Sequence, residues 1–213
     1  MPSLNITQEP TTLLRYDVVG QRVEGQSHFV KHVGLFDEDN QFLRMGDTAK
    51  VLHMKPPLKE GDEITVDVAG RVPLTNDERK IIETWHEKIK DEYSKLLHED
   101  QFIIHPPWKD QCDLNTGSRR YRRYSCVGFV LYSHLRLDIP LLQIDEELLP
   151  KVYPETIEAA YGLVPGLLLS KFGLEGNGPW RIVLPGYIMH ALNRSTEKIR
   201  NEPYRAKEGD DQF

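Results

Sequence analysis

No run in this sequence approaches the roughly 18 consecutive apolar residues that a membrane span requires. Stable membrane insertion is therefore not expected. The glycine-rich phosphate loops are missing too: there is no G-x-x-x-x-G-K-[ST] and no G-x-G-x-x-G, and H-E-x-x-H is also absent. The eight histidines are dispersed and the two cysteines lack a partner pair, so a structural zinc is not expected; no cofactor is expected either. Cysteine is scarce. Cys112 and Cys126 do not make a secreted disulfide framework, although a bridge between the two stays open. Basic charge is in deficit, with 27 Lys and Arg against 33 Asp and Glu and a net charge of -6. That gives no reason to expect a nucleic-acid partner. The first residues, Met1 to Asn5, carry no basic n-region and no apolar stretch, and the simplest expectation is a cytoplasmic protein.

What is present is the material of one mixed domain. The chain has 213 residues, of which 39% are hydrophobic, and no linker or internal repeat interrupts it. Residues 1–193 are expected to form one domain. Residues 194–213, which are charged, are expected to form a mobile tail. Leu13 to Val19 reads as a first strand. Residues 28–36 read as a strand covered on both faces, with Val30, His32, Gly34 and Phe36 on one and Phe29, Val33 and Leu35 on the other. Turn chemistry at Asp37 to Asn40 predicts a hairpin back through residues 41–45. Ala49 to Met54 and Glu63 to Ala69 would extend it as a small antiparallel meander. Thr75-Asn76-Asp77-Glu78 is a capping box. Ile82, Trp85, Ile89, Tyr93 and Leu96 follow at helical spacing, predicting a long amphipathic helix to His98. A second helix, residues 125–136, is apolar on every side and belongs in the core. Shorter helices are expected at residues 154–161, 164–172 and 185–192, and a strand at residues 180–184.

Cys126 stands at the head of that apolar helix, with Ser125 as its N-cap. A helix N-terminus offers unpaired N–H groups and partial positive charge, which favour the thiolate. His32, on the central strand, is a candidate base, and a cysteine with a histidine is the minimum set for thiol catalysis. The alternative is a buried core cysteine beside a hydrogen-bonded core histidine. Arg119, Arg120, Arg122 and Arg123 form the one basic patch, which is suited to binding a carboxylate and equally to a solvated loop with spare charge.

His32-Val33-Gly34-Leu35-Phe36, a turn, and Phe42-Leu43-Arg44-Met45 resemble the histidine hairpin of the circularly permuted NlpC-type cysteine hydrolases. That papain-like superfamily includes the lecithin–retinol acyltransferase group. Ser125-Cys126-Val127-Gly128-Phe129-Val130 resembles its nucleophile motif, and the order, His strand before Cys helix, is that of the permuted members. The resemblance implies an α+β, papain-like fold: a small antiparallel sheet or barrel packed on the Cys-bearing helix, with the helix of residues 75–98 inserted between the motifs. It implies Cys126 as nucleophile and His32 as base. A third polar group normally orients the imidazole. Here Arg44 occupies the matching position and has no acceptor to offer. Asp47 is the first substitute, ahead of His53 and Glu38. Tyr124, Tyr121 and Arg44 would contact substrate, the tyrosines as oxyanion donors.

The leading expectation is a cysteine hydrolase cleaving amide bonds in small peptides, including cell-wall-derived ones. A thiol acyltransferase or lipid acylhydrolase acting on an acyl substrate is the enzymatic alternative. A non-catalytic binding module on the same fold is the other. A pocket joining Cys126 to His32 would favour the enzyme, and a Cys126 sealed in the core would favour the binder.

Overall fold

Short β-branched segments broken by Gly and Asp fill the first third of the chain, and they fold as strands. In a computed structural model, residues 6–7, 11–39, 41–52, 63–93, 102–112, 120–161 and 170–213 are described; for residues 6, 7, 26, 27, 111, 112, 120, 159–161 and 171 this is the backbone alone. The early strands are β1 (Ile6–Thr7), β2 (Thr11–Leu13), β3 (Val18–Val23), β4 (Gln26–Phe36), β5 (Gln41–Leu43), β6 (Thr48–Leu52), β7 (Glu63–Thr65) and β8 (Val68–Gly70). Six of them make one antiparallel sheet in the order β1-β8-β3-β4-β6-β7.

The two sheet faces lead to two cores. Val18, Val33, Leu35 and Val68 belong to the larger core and are fully buried. Val19, Phe36 and Ala69, on the other face, join Leu13 and Leu43 in a smaller one. Leu13 and Leu43 come from β2 and β5, which pair with each other. The expected hairpin of residues 28–36 with 41–45 is thus not formed. β4 pairs with β6 at Leu35–Leu52 and Phe36–Val51 instead, while β5 turns Leu43 inward and leaves Phe42 61% exposed.

Two expected strands are broken by aspartates. The Asp17 carboxylate accepts the Leu14 amide at 2.8 Å, and Tyr16 takes a positive φ of 73°. This turn separates β2 from β3. The Asp67 carboxylate accepts the Arg22 amide at 2.7 Å, and the chain kinks there, so that Val66 enters the smaller core and Val68 the larger. Short acceptors that bond nearby amides compete with ladder pairing.

α1 (Asn76–Tyr93) begins as the capping box requires. Thr75 donates its amide to Glu78 at 2.8 Å, and Glu78 returns its amide to the Thr75 hydroxyl at 3.3 Å. Ile82, Trp85, Ile89 and Tyr93 are its buried stripe; the expected extension to His98 lies outside the described residues. β9 (Trp108–Cys112) and β10 (Arg120–Tyr124) form an antiparallel ribbon that feeds directly into α2 (Cys126–Leu135). β11 (Lys151–Val152) pairs with β12 (Trp180–Arg181). α3 (Pro154–Tyr161) lies between them, as does a single 3-10 turn at Ser170–Phe172; the rest of the helix expected at residues 164–172 is outside the described residues. α4 (Pro185–Leu192) packs beside α2 and supplies Tyr187, Ile188 and Met189 to the larger core.

Residues 194–213 are part of the packed structure and not the expected loose tail. α5 (Thr196–Asn201) is capped by Ser195 and fully buries Ile199. Tyr204 exchanges backbone hydrogen bonds with residues 141 and 143, and the Phe213 amide donates to the His28 carbonyl. The class is α+β with small antiparallel sheets. Among the described residues no helix is long and apolar enough to cross a membrane.

Candidate functional site

Cys126 is the first residue of α2. Ser125 caps the helix by accepting the Gly128 amide at 2.8 Å, and its own amide donates to the Pro107 carbonyl at 2.9 Å. A Cβ on Gly128 would stand 1.7 Å from that same carbonyl oxygen, so glycine is the residue that lets the 102–108 segment lie against the helix. The Cys126 thiol is free and 3% exposed. Burial pushes its pKa up to about 11, and hydrogen bonding from the backbone amides of Val33, Val127 and Cys126 itself offsets only part of this. Desolvation thus outweighs the helix N-terminus, and Cys126 is a thiol at neutral pH.

His32 pairs with Gln21 across β3 and is half-buried. The sulfur lies by the amide of Val33, one residue along. Strand alternation sends Val33 and Leu35 to the larger core with Cys126, and His32 with Gly34 and Phe36 to the opposite face. Among the described residues no imidazole or carboxylate contributes to the ionisation of Cys126.

Asp47 is exposed and accepts the Arg44 amide at 2.8 Å, closing the turn between β5 and β6. β6, which follows Asp47, pairs with Leu35 and Phe36 of β4 and not with His32. The described partner of the Asp47 carboxylate is thus its own turn. Arg44 is exposed in the same turn. Glu38 faces Lys50 at 4.0 Å, and His53 lies outside the described residues.

Tyr121 and Tyr124 are brought together elsewhere. They line a groove of about 610 Å³ between α1, the β9–β10 ribbon and the C-terminal turn of α2. Trp85 and Tyr132 complete its aromatic wall. Trp85 meets Tyr132 at 5.7 Å, Tyr124 at 6.1 Å and Phe129, beneath, at 5.3 Å between ring centroids. Arg122 spans the groove's edge, bound to Asp110 through two nitrogens at 2.5 and 2.9 Å and lying over the Tyr132 ring at 4.5 Å. The hydrogen bond to Asp110 raises its pKa further. Lys80, Lys88 and Arg136 stand exposed around the groove. Of the basic patch, Arg123 turns inward to the Phe102 carbonyl, and Arg119 lies outside the described residues.

Lys80, Thr84 and Lys88, at i, i+4 and i+8, run along one edge of α1, beside the buried stripe that holds Trp85 and Ile89. Nothing local to residues 75–98 tells which partner that edge meets, and sequence reasoning passes over the lysines for that reason.

Comparison with protein-family models, with curated proteins and with solved structures found no match to this chain.

Proposed function

We propose that this chain is a non-catalytic binding module whose ligand occupies the groove between α1, β10 and α2. One observation carries the reading: the only described thiol is shut inside the core, while the aromatic groove opens elsewhere. A catalytic cysteine needs a low pKa and access to substrate, and burial gives Cys126 the reverse. A volume of about 610 Å³, with an aromatic wall under a rim of charged side chains, falls in the size range of small-molecule sites.

A thiol hydrolase of the permuted papain-like kind is the competing proposal. The placement of Cys126 at the start of α2, beside the amide of Val33, favours it. Alkylation kinetics separate the two. In a Cys112→Ser background, native Cys126 is expected to react with iodoacetamide at pH 7 at least a hundredfold more slowly than in denaturant, with no effect of His32→Ala. Fast reaction below pH 7 that slows on losing His32 would replace the binding module with a thiolate–imidazole enzyme.

A further inference from the structure

Around the groove the charges do not cancel. Lys80, Lys88, Arg122 and Arg136 face only Glu92 and Asp110, in a chain whose net charge is -6. Asp110 is already taken by Arg122 through both carboxylate oxygens. Lys80, Lys88 and Arg136 form no ion pair among the described residues. Lys80 and Lys88 lie two turns apart on one edge of α1, and Arg136, at the end of α2, lines the same groove. Beneath the cations run the rings of Trp85, Tyr121, Tyr124 and Tyr132.

We propose that the groove binds a small ligand joining a planar ring to a phosphate or carboxylate group. The inference rests on the binding-groove reading and adds the ligand class. Trp85, Tyr121 and Tyr124 are already buried, and an inorganic anion would satisfy the cations but leave the half-buried Tyr132 ring uncovered. A neutral ring would cover Tyr132 and leave the cations unmatched. The volume is that of a small-molecule site. Phosphate and carboxylate offer the same acceptor chemistry to Lys and Arg.

The test is an amide chemical-shift titration of the whole isotope-labelled chain with phenyl phosphate, phenylacetate, benzyl alcohol and inorganic phosphate. Phenyl phosphate or phenylacetate is expected to shift amides of residues 80–92, 120–124 and 132–136. It should saturate them at least tenfold below benzyl alcohol and inorganic phosphate, and the tighter of the two acids identifies the anionic group. Lys80→Glu with Lys88→Glu, both at exposed positions, should weaken the acids at least tenfold and leave benzyl alcohol unchanged. Benzyl alcohol binding as well as the acids would overturn the ligand class and leave the groove as a binding site. Absence of saturable groove shifts with every probe would overturn both the ligand class and the binding-groove reading.

Discussion

The imidazole of His86 lies flat on the ring of Phe129, with centroids 5.2 Å apart and planes 8° from parallel. Trp85 and Tyr16 close on it at 4.9 and 5.5 Å. Neither ring nitrogen has a hydrogen-bond partner among the described residues. His134, on α2, has its Nδ1 2.8 Å from the Val130 carbonyl and so donates there, while its Nε2 has no described partner. Two histidines, His86 half-buried among aromatic rings and His134 fully buried on α2, are thus held neutral. Burial lowers His86 to about 3, helped by the positive charge of Arg15 and by His134, and burial lowers His134 to about 4.

Acid should therefore destabilise this protein well above the range where carboxylates titrate. Both folded values lie below the ordinary 6.5. The unfolded chain binds more protons between those values and 6.5, so stability is full above about pH 6.5 and falls as pH drops. Two such groups give a slope approaching about 2.7 kcal/mol per pH unit near pH 5. Glu78 acts in a lower window. Arg200 lowers its pKa below 4.5, and the stability it contributes is lost only as pH falls through that lowered value. Urea unfolding at pH 7, 6 and 5 checks this. His86→Phe with His134→Leu should flatten the dependence, and an unchanged slope in that variant would remove the histidines as its cause.

Gly128→Ala should cost far more than helix propensity returns. Alanine in place of glycine favours a helix by about 1 kcal/mol. Here the new methyl would overlap the Pro107 carbonyl oxygen, 1.7 Å from it, and backbone cannot swing aside as a side chain can. A loss of about 3 kcal/mol or more is expected from a forced shift of this kind. Ser125→Ala, which removes only the cap, should cost about 1 kcal/mol. Denaturant midpoints of the two variants should rank in that order.

Much of the fold was legible because it rests on local chemistry. The Thr75–Glu78 box, the Ser125 cap, the Pro185 helix start and the apolar stripe of α1 each depend on residues within a turn or two. What the sequence withheld was pairing. Leu43 could return against β4 or cross to β2, and only the second seats it in the smaller core. The site suffered the same way. Tyr121 and Tyr124 are expected as oxyanion donors to Cys126, yet they line a groove formed with α1. The depth of Cys126 and the face that His32 takes are properties of long-range packing, which a motif does not encode.

Removal of residues 194–213 should unfold the domain and not merely trim it. Ile199 is fully buried, and Ala206 nearly so. Arg200 bridges to Glu78 at the start of α1 and donates to the Pro73 carbonyl at 2.8 Å. The deletion strips that cap of its cation and exposes core surface, at a cost of several kcal/mol, a large share of a typical domain's total stability. Circular dichroism and proteolysis of the shortened chain check it; a cooperative unfolding transition at the parent's midpoint would show that this segment adds nothing.

Asp17 is the acidic group on which the β2–β3 corner depends. It is 2% exposed, and its carboxylate accepts the Leu14 amide at 2.8 Å and Arg71 through Nε at 3.0 Å and Nη2 at 2.6 Å. The Arg71 side chain is 35% exposed, so its charge is partly hydrated without a partner, and the cost of breaking the pair sits below that of a fully buried one. Asp17→Ala should destabilise by about 2–4 kcal/mol, from an unpaired guanidinium and an unmade backbone bond together. Arg71→Ala should cost less, because Asp17 keeps the Leu14 amide. The double variant should be less destabilised than the sum of the singles by at least about 1 kcal/mol, since each single removes the same contact. Urea unfolding of the four proteins at pH 7 measures this coupling, and strict additivity would mean that the Leu14 turn, and not the ion pair, accounts for the loss.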